Sequence, residues 1–285
     1  MTTRDNSARF TAHTPDAQLE TQEETQDEVS IPGGLHFVAP TELVELPSKG
    51  LLYPEGHPLH KQEEIEIKLM TAKEEDIMVN KSLLKKGIAL DRMLQSIIVN
   101  KKIKLDDLLV SDKNALVIAS RISAYGAEYK AQINCPNCNA VNNYAFDLED
   151  KEIKYLYEHG REDIRIAENG NFLITLPKTK MEVEFRLLRG SDEKVLLEKN
   201  KKNKGNIALT DQFKAFVVSV SSVTDKNILS DFIEVMPAYD SKYLRMAYAD
   251  VLPSVDLKQY FECSECDHSQ DMEVPFTVEF FWPRS

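Results

Sequence analysis

The feature that most constrains this chain is a pair of Cys-x-x-Cys motifs placed far apart in the sequence. Cys135 and Cys138 form the first pair, Cys263 and Cys266 form the second, and the chain has no other cysteine. Four thiolates in two such pairs are the ligand set of a tetrahedral zinc site. Roughly 15 to 20 residues separate the pairs of a compact zinc ribbon, whereas 124 residues lie between Cys138 and Cys263. The metal would therefore join distant parts of the chain.

Structural zinc is favoured for these cysteines because a closed shell of four sulfurs leaves no open position for water or substrate. Residues 1–30 lack the apolar core of a secretory signal, which predicts a reducing cytoplasm and disfavours disulfides. An iron–sulfur or redox role stays open, since four thiolates also hold such clusters. His268 follows Cys266 closely and is a substitute ligand, but with four thiolates present we interpret it as a surface residue.

Alternating apolar and polar residues flank both cysteine pairs. Tyr129, Ala131 and Ile133 alternate before the first pair, and residues 141–146 form a second predicted strand after it. Residues 257–262 and 272–280 flank the second pair in the same way. This period of two predicts a β-hairpin around each pair. The fold class is therefore α+β, with split zinc-ribbon-like hairpins, a helical part and a long mixed α/β insertion.

Composition and periodicity divide the chain into five segments. Residues 1–30 carry a net charge of −5, out of −12 for the whole chain, with few large apolar residues, which is typical of disorder. The segments are a disordered acidic tail at 1–30, an extended Pro/Gly-rich arm at 31–63, a helical region with the first cysteine hairpin at 64–147, a mixed α/β insertion at 148–256, and the second cysteine hairpin with a C-terminal strand at 257–285.

Helical patterns recur between the hairpins. Thr71 and Glu74 have the spacing of a capping box, which predicts a helix start, and Ser111 is a candidate cap for a later helix. The remaining predicted helices cover 82–86, 91–99, 111–123, 191–198, 210–220, 230–236 and 240–251. A further hairpin is predicted from 172–176 and 181–187.

Two apolar segments have alternative interpretations. The Pro/Gly-rich arm contains Leu43, Leu46 and Tyr53, which is too much apolar surface for a linker. It is either a docking arm for other proteins or part of the chain's own core. The C-terminal residues 280–283, Phe-Phe-Trp-Pro, are likewise either a core plug or an exposed anchor.

Charge and motif content argue against several classes of function. The net charge of −12 disfavours general nucleic-acid binding, and no apolar stretch reaches the ~18 residues of a membrane helix. Phosphate-binding loops, nucleophile elbows and zinc-protease motifs are missing, which predicts a non-enzyme. The acidic clusters 74–76 and 106–107 are interpreted as solvated or capping charge. The basic runs 101–104 and 199–204 are interpreted as solvated turns, with contact to an acidic partner or nucleic acid as the alternative.

Four strings together resemble one protein family. They are Glu-Leu-Pro-Ser-Lys-Gly-Leu-Leu-Tyr-Pro at 45–54, Met-Thr-Ala-Lys-Glu-Glu-Asp-Ile at 70–77, Ser-Ala-Tyr-Gly at 123–126 before the first cysteine pair, and Phe-Phe-Trp-Pro at 280–283. They resemble the baseplate hub subunits of T4-like bacteriophages. The resemblance covers about 45–147 and 257–283, and it extends neither to the insertion nor to the acidic tail.

The resemblance implies a non-enzymatic component of a contractile phage tail. Its expected partners are other baseplate or tail proteins, and its expected location is the virion baseplate, after assembly in the host cytoplasm. Two alternatives remain open. One is a transient assembly chaperone absent from the mature virion, and the other is a nucleic-acid-binding zinc ribbon.

Overall fold

The computed structural model describes residues 28–31, 35–38, 40–156, 161–202, 208–275 and 280–281. The chain divides into two compact units, Met1–Ala39 and Pro40–Ser285. In the first unit, β1 (Glu28–Ile31) pairs antiparallel with β2 (Leu35–Val38). Most of the predicted acidic tail, residues 1–27, lies outside the described residues, while positions 28–30 belong to β1.

The second unit contains groups of helices and groups of short strands that follow one another along the chain. Its described helices are α1 (Ala72–Val79), α2 (Lys81–Lys86), α3 (Ala89–Ile97), α4 (Val110–Tyr125), α5 (Gly190–Lys202), α6 (Leu209–Phe216), α7 (Lys226–Val235) and α8 (Ala238–Val251), with a 3-10 turn at Leu105–Asp107. Its described strands are β3 (Thr41–Glu45), β4 (Glu64–Lys68), β5 (Glu128–Asn134), β6 (Val141–Asp147), β7 (Glu152–Lys154), β8 (Ile164–Ile166), β9 (Phe172–Thr175), β10 (Glu182–Phe185), β11 (Val217–Val220), β12 (Ser254–Asp256), β13 (Lys258–Glu262) and β14 (Ser269–Glu273).

The strands form small antiparallel sheets, as expected for the predicted α+β class. In the described part of the second unit, four sheets have two strands each, β3–β4, β5–β6, β7–β12 and β13–β14, and one has four strands in the order β11–β10–β9–β8. The predicted boundaries at 63, 147 and 256 all fall inside this one compact unit. No helix in the described residues has the length and apolar character needed to cross a bilayer.

Several local predictions are confirmed. The carboxylate of Glu74 accepts hydrogen bonds from the backbone N–H (3.1 Å) and the hydroxyl (2.5 Å) of Thr71, so a capping interaction marks the start of α1. The predicted hairpin is formed by β9 and β10, with Ile174 opposite Val183. Strong local signals therefore suffice to predict an element where turn chemistry and periodicity agree.

Two predicted elements end in the wrong place. The helix predicted at 210–220 stops at Phe216, because the Val-Val-Ser-Val run that follows is β-branched and pairs with β10 as β11. The strand predicted at 272–280 instead begins at Ser269, since its pairing with β13 continues up to the second cysteine turn. It ends at Glu273, shortly before Pro275, which has no N–H to donate.

The predicted helix cap at Ser111 is also wrong. The helix α4 begins one residue earlier, at Val110, with Leu109 in the capping position. Leu109 is held extended by a β-bridge to Arg189, which moves the helix start upstream. The hydroxyl of Ser111 is buried inside the first turn and makes no hydrogen bond in the described part of the chain.

The Pro/Gly-rich segment folds against its own unit. Leu46 and Tyr53 are 0% and 2% exposed. Asp112 of α4, also buried, accepts hydrogen bonds from the backbone N–H of Ser48 (3.0 Å), the Ser48 hydroxyl (2.6 Å) and the Tyr53 hydroxyl (2.7 Å). Of the two alternatives, the core is therefore correct for Leu46 and Tyr53, and the docking-arm interpretation is wrong for these two side chains. Leu43 remains largely exposed.

The same segment contains a glycine that the fold requires, and its substitution gives a first prediction. Gly50 has φ +67°, and a Cβ placed there would lie 2.3 Å from the backbone oxygen of Leu59. Gly50→Ala should therefore lower the free energy of unfolding by more than about 3 kcal/mol, because strain and a backbone clash add together. Gly56 is the matched control, since its φ is +87° but a Cβ added there would meet no atom within 4 Å. Gly56→Ala should cost about 1–2 kcal/mol in the same urea titration, and equal losses in the two variants would contradict the clash.

A buried arginine on α4 binds the backbone of Phe280, near the C-terminus. Arg121 is 0% exposed, and its guanidinium donates to the backbone oxygens of Phe280, Gly126 (2.6 Å) and Glu128 (3.1 Å). It also lies over the ring of Tyr129, 6.0 Å from the centroid. Phe280 and the following Phe281 are 2% and 6% exposed. The core-plug interpretation is thus correct for these two phenylalanines, and residues 282–283 lie outside the described residues.

Candidate metal centre

The first cysteine pair lies in the turn between β5 and β6. The backbone N–H of Cys135 donates to the oxygen of Ala140 at 2.9 Å, and the N–H of Asn139 donates to the oxygen of Cys135 at 2.9 Å. Asn139 has φ +59°, a left-handed conformation that asparagine tolerates better than most residues. This tight turn directs the sulfurs of Cys135 and Cys138 toward one point.

The second pair lies in the turn between β13 and β14. There the N–H of Cys263 donates to the oxygen of His268 at 3.0 Å, and the N–H of His268 donates to the oxygen of Cys266 at 2.5 Å. The imidazole of His268 lies near the side chain of Gln270, at 3.3 Å. His268 therefore shapes the turn through its backbone.

Contacts between the hairpins bring the two turns together. The hydroxyl of Tyr144 on β6 donates to the oxygen of Tyr260 on β13 at 2.5 Å, and its ring packs edge-on against Phe261, with the centroids 5.6 Å apart. At the other end of β6, the side-chain amide of Gln259 bonds both backbone groups of Asp147. The 124 residues between the pairs are thereby bridged by direct contacts.

The four sulfur atoms all lie within 4.8 Å of one another. Cys135 and Cys266 have their sulfurs 3.8 Å apart, and Cys138 and Cys263 have theirs 3.7 Å apart. Sulfurs bound tetrahedrally to one zinc at about 2.3 Å are about 3.8 Å apart, whereas bonded sulfurs are about 2.05 Å apart. The residues thus fit a four-sulfur metal site. Among the described residues, this is the one such cluster of potential ligands.

The surroundings of the cluster change the acidity of its thiols. The backbone N–H of Glu265 donates to the sulfur of Cys263 at 3.4 Å and, with further donors, lowers the pKa of this thiol to about 6. The N–H of Ala140 acts to lower the pKa of Cys138, but hydrogen bonds shared with the neighbouring sulfurs, Cys266 first, raise it to about 12. Such a cluster keeps a proton that a metal ion would displace on binding.

Two asparagines at the cluster were missed by the sequence reasoning. Asn137 donates to the sulfur of Cys266 at 3.6 Å, and Asn142 donates to the sulfur of Cys263 at 3.5 Å. Asn142 is 6% exposed, whereas the adjacent Val141 is 61% exposed. The inward-facing positions of this strand therefore begin with a polar residue, where an apolar residue is usual. A polar residue at such a position is the sequence signal that could have identified Asn142.

The other residues singled out in the sequence lie in structural contacts. Glu74 caps α1, and Asp106 forms an ion pair with Lys194. In the basic runs, the ammonium of Lys101 donates to the backbone oxygen of Ile98 at 2.5 Å, and Lys199 pairs with Asp211 at 2.7 Å. None of these groups is among the potential ligands of the four-sulfur cluster.

Comparison with known proteins gives one match. The family model described as T4 bacteriophage base plate protein matches residues 41–282. No curated protein and no solved structure matches the chain. The match runs through residues 148–256, which the sequence resemblance left uncovered, and it includes both cysteine turns. The chain therefore belongs to the T4 bacteriophage base plate protein family.

Proposed function

We propose that this protein is a non-enzymatic structural subunit of the baseplate hub of a contractile phage tail, and that a structural zinc stabilises it. The observation that carries the proposal is the family match over residues 41–282. Assignment to the hub rests on the four motif strings at 45–54, 70–77, 123–126 and 280–283, which together resemble those of hub subunits. Its partners would be other baseplate or tail proteins, met first in the host cytoplasm and retained in the virion.

The donor set supports zinc as the metal. Four thiolates suit zinc better than calcium or magnesium, which prefer oxygen ligands. The protein supplies all four ligands, so a bound ion would have a closed shell, as structural sites do. The ion would connect the β5–β6 turn to the β13–β14 turn and so stabilise the polypeptide between them. The ion would stabilise the fold and would take no part in chemistry on a substrate.

Metal analysis of the purified protein should find one zinc per chain. The expectation follows from the four sulfurs within 4.8 Å of one another. Emission spectrometry of protein purified without added metal gives the stoichiometry. A double variant, Cys135→Ser with Cys266→Ser, is the control and should carry none. Iron with sulfide in the wild-type protein would support the iron–sulfur alternative instead.

Examination of purified virions tests the function. Mass spectrometry should detect the chain in particles purified through two density gradients, and immunogold label should fall at the centre of isolated baseplates. Antibody against a sheath protein serves as the control for label position. A chain that is abundant in infected cells but missing from particles would support the assembly chaperone. Label at the baseplate periphery would contradict the hub assignment and leave the baseplate assignment intact.

Nucleic-acid binding is a weaker candidate. The ammonium groups of Lys101 and Lys201 donate to backbone oxygens, and Lys199 is paired with a carboxylate. These lysines are therefore engaged within the chain, which has a net charge of −12. Salt-dependent retention of DNA or RNA by the purified protein would favour this alternative.

A further inference from the structure

One buried side chain connects the two cysteine turns, because it both donates and accepts hydrogen bonds. Asn142 lies on β6 and is 6% exposed. Its amide oxygen accepts from the backbone N–H and from the hydroxyl of Ser264, each at 2.9 Å. Its amide nitrogen donates to the oxygen of Ala140 at 3.1 Å and to the sulfur of Cys263 at 3.5 Å. Asn142 therefore contacts the turn that holds each cysteine pair.

We propose that Asn142 is the positioning residue that holds the second cysteine turn against the first and preorganises the four-sulfur site for its metal. The inference rests on the proposed zinc site. It adds a reason why two cysteine pairs so distant in sequence would bind one metal ion together. If nothing held the second turn in place, each binding event would have to order it first, and that ordering weakens affinity. The bonds of Asn142 with Ser264 connect groups 122 residues apart, and they involve no metal ligand atom.

The amide suits this position because it is both donor and acceptor. A carboxylate at 142 would still accept from Ser264, but it would place a negative charge beside the Cys263 sulfur and remove the N–H donor. An N–H directed at a thiolate stabilises its charge, as outer-shell partners of metal ligands commonly do. Asn142→Asp thus keeps the acceptor for Ser264 but replaces the donor to the Cys263 sulfur with a negative charge.

Asn137 provides a matched control within the same cluster. It also donates to a ligand sulfur, that of Cys266 at 3.6 Å, but its side chain is exposed. It lies within the first cysteine turn, whereas Asn142 holds the backbone of the second. If donation to sulfur were all that mattered, Asn137→Ala and Asn142→Ala would have similar effects.

The experiment compares full-length wild-type, Asn142→Ala, Asn142→Asp and Asn137→Ala proteins. Zinc affinity is measured by competition with a chromophoric chelator, and the Co²⁺ absorption spectrum reports the sulfur ligands. We expect Asn142→Ala to lower zinc affinity by about 10- to 100-fold and to speed zinc loss to excess chelator. Asn142→Asp should lose at least as much, while Asn137→Ala should stay within about threefold of wild type. The far-UV circular dichroism of the zinc-loaded variants should match wild type.

Ser264→Ala keeps the inference testable if the Asn142 variants fail to fold. It removes one of the two hydrogen bonds to the Asn142 oxygen and should lower zinc affinity by several-fold, with the four-sulfur Co²⁺ spectrum retained. Affinity within threefold of wild type for Asn142→Ala, or for Ser264→Ala when the former does not fold, would overturn the positioning role. So would equal losses in Asn137→Ala and Asn142→Ala. A wild-type protein that binds no zinc would instead overturn the proposed metal, and the inference with it.

Discussion

Cys263→Ser is expected to destabilise the whole Pro40–Ser285 unit and not only its last hairpin. The sulfur of Cys263 lies 3.7 Å from that of Cys138, which belongs to the other cysteine turn. Because the ligand pairs are 124 residues apart, the free energy of metal binding is also folding free energy for the chain between them. Structural zinc sites bind with apparent free energies of about 10–16 kcal/mol in small domains. Losing one ligand should remove several kcal/mol of this binding free energy, and with it the same amount of folding free energy.

The measurement is thermal and urea unfolding, followed by circular dichroism, with and without a strong chelator. Chelator should lower the Tm of the wild-type protein toward that of Cys263→Ser and have little further effect on the variant. His268→Ala is the matched control, because its imidazole lies near Gln270 in the same turn. It should keep its zinc and its Tm. A variant at Cys263 that melts like wild type would contradict a structural metal.

Asp112→Ala is expected to cause a large loss of stability at a site outside the cysteine cluster. The carboxylate accepts from the backbone N–H of Ser48 and from the hydroxyls of Ser48 and Tyr53, all buried. Removal of the acceptor would leave these donors without partners, and each buried unsatisfied donor costs about 1–3 kcal/mol. We therefore expect a loss of about 3–5 kcal/mol in the free energy of unfolding.

Urea titration at neutral pH measures this loss. Asp106→Ala is the control, because this carboxylate is half exposed and pairs with Lys194. A surface ion pair contributes at most about 1 kcal/mol. Tyr53→Phe should fall between the two, since it removes one donor and leaves Asp112 two others. Equal destabilisation by Asp106→Ala and Asp112→Ala would show that the buried cluster has no special role.

The burial of Asp112 has a cost that its partners offset. Burial raises the pKa of this carboxyl above the usual value, and its hydrogen bonds with Ser48 and Tyr53 act in the opposite direction. Burial likewise raises the pKa of Tyr53 well above that of free tyrosine. Burial therefore favours the protonated phenol, which is the form that donates to Asp112. The Pro/Gly-rich segment is thus held by its own polar groups as well as by Leu46.

Local signals determined which elements form around the cysteines. The period of two beside each pair predicted strands, and β5, β6 and β13 lie where it placed them. The turn residues between the strands predicted the two cysteine turns, and the two pairs of thiols predicted that these turns would meet. Periodicity, turn chemistry and ligand type are properties of neighbouring residues, so a single sequence contains them.

Tertiary structure alone decided which distant groups satisfy the buried polar atoms. Tyr53 is paired with a carboxylate 59 residues away, and Arg121 with a carbonyl 159 residues away. The partner of Asn142 is the Ser264 turn, 122 residues away, and only the packing of the two hairpins identifies it. The same limit explains the Pro/Gly-rich segment, whose composition fits a docking arm and a core strap equally well. A buried polar group must find a partner, but periodicity does not say which one, because the partner is set by how the elements pack.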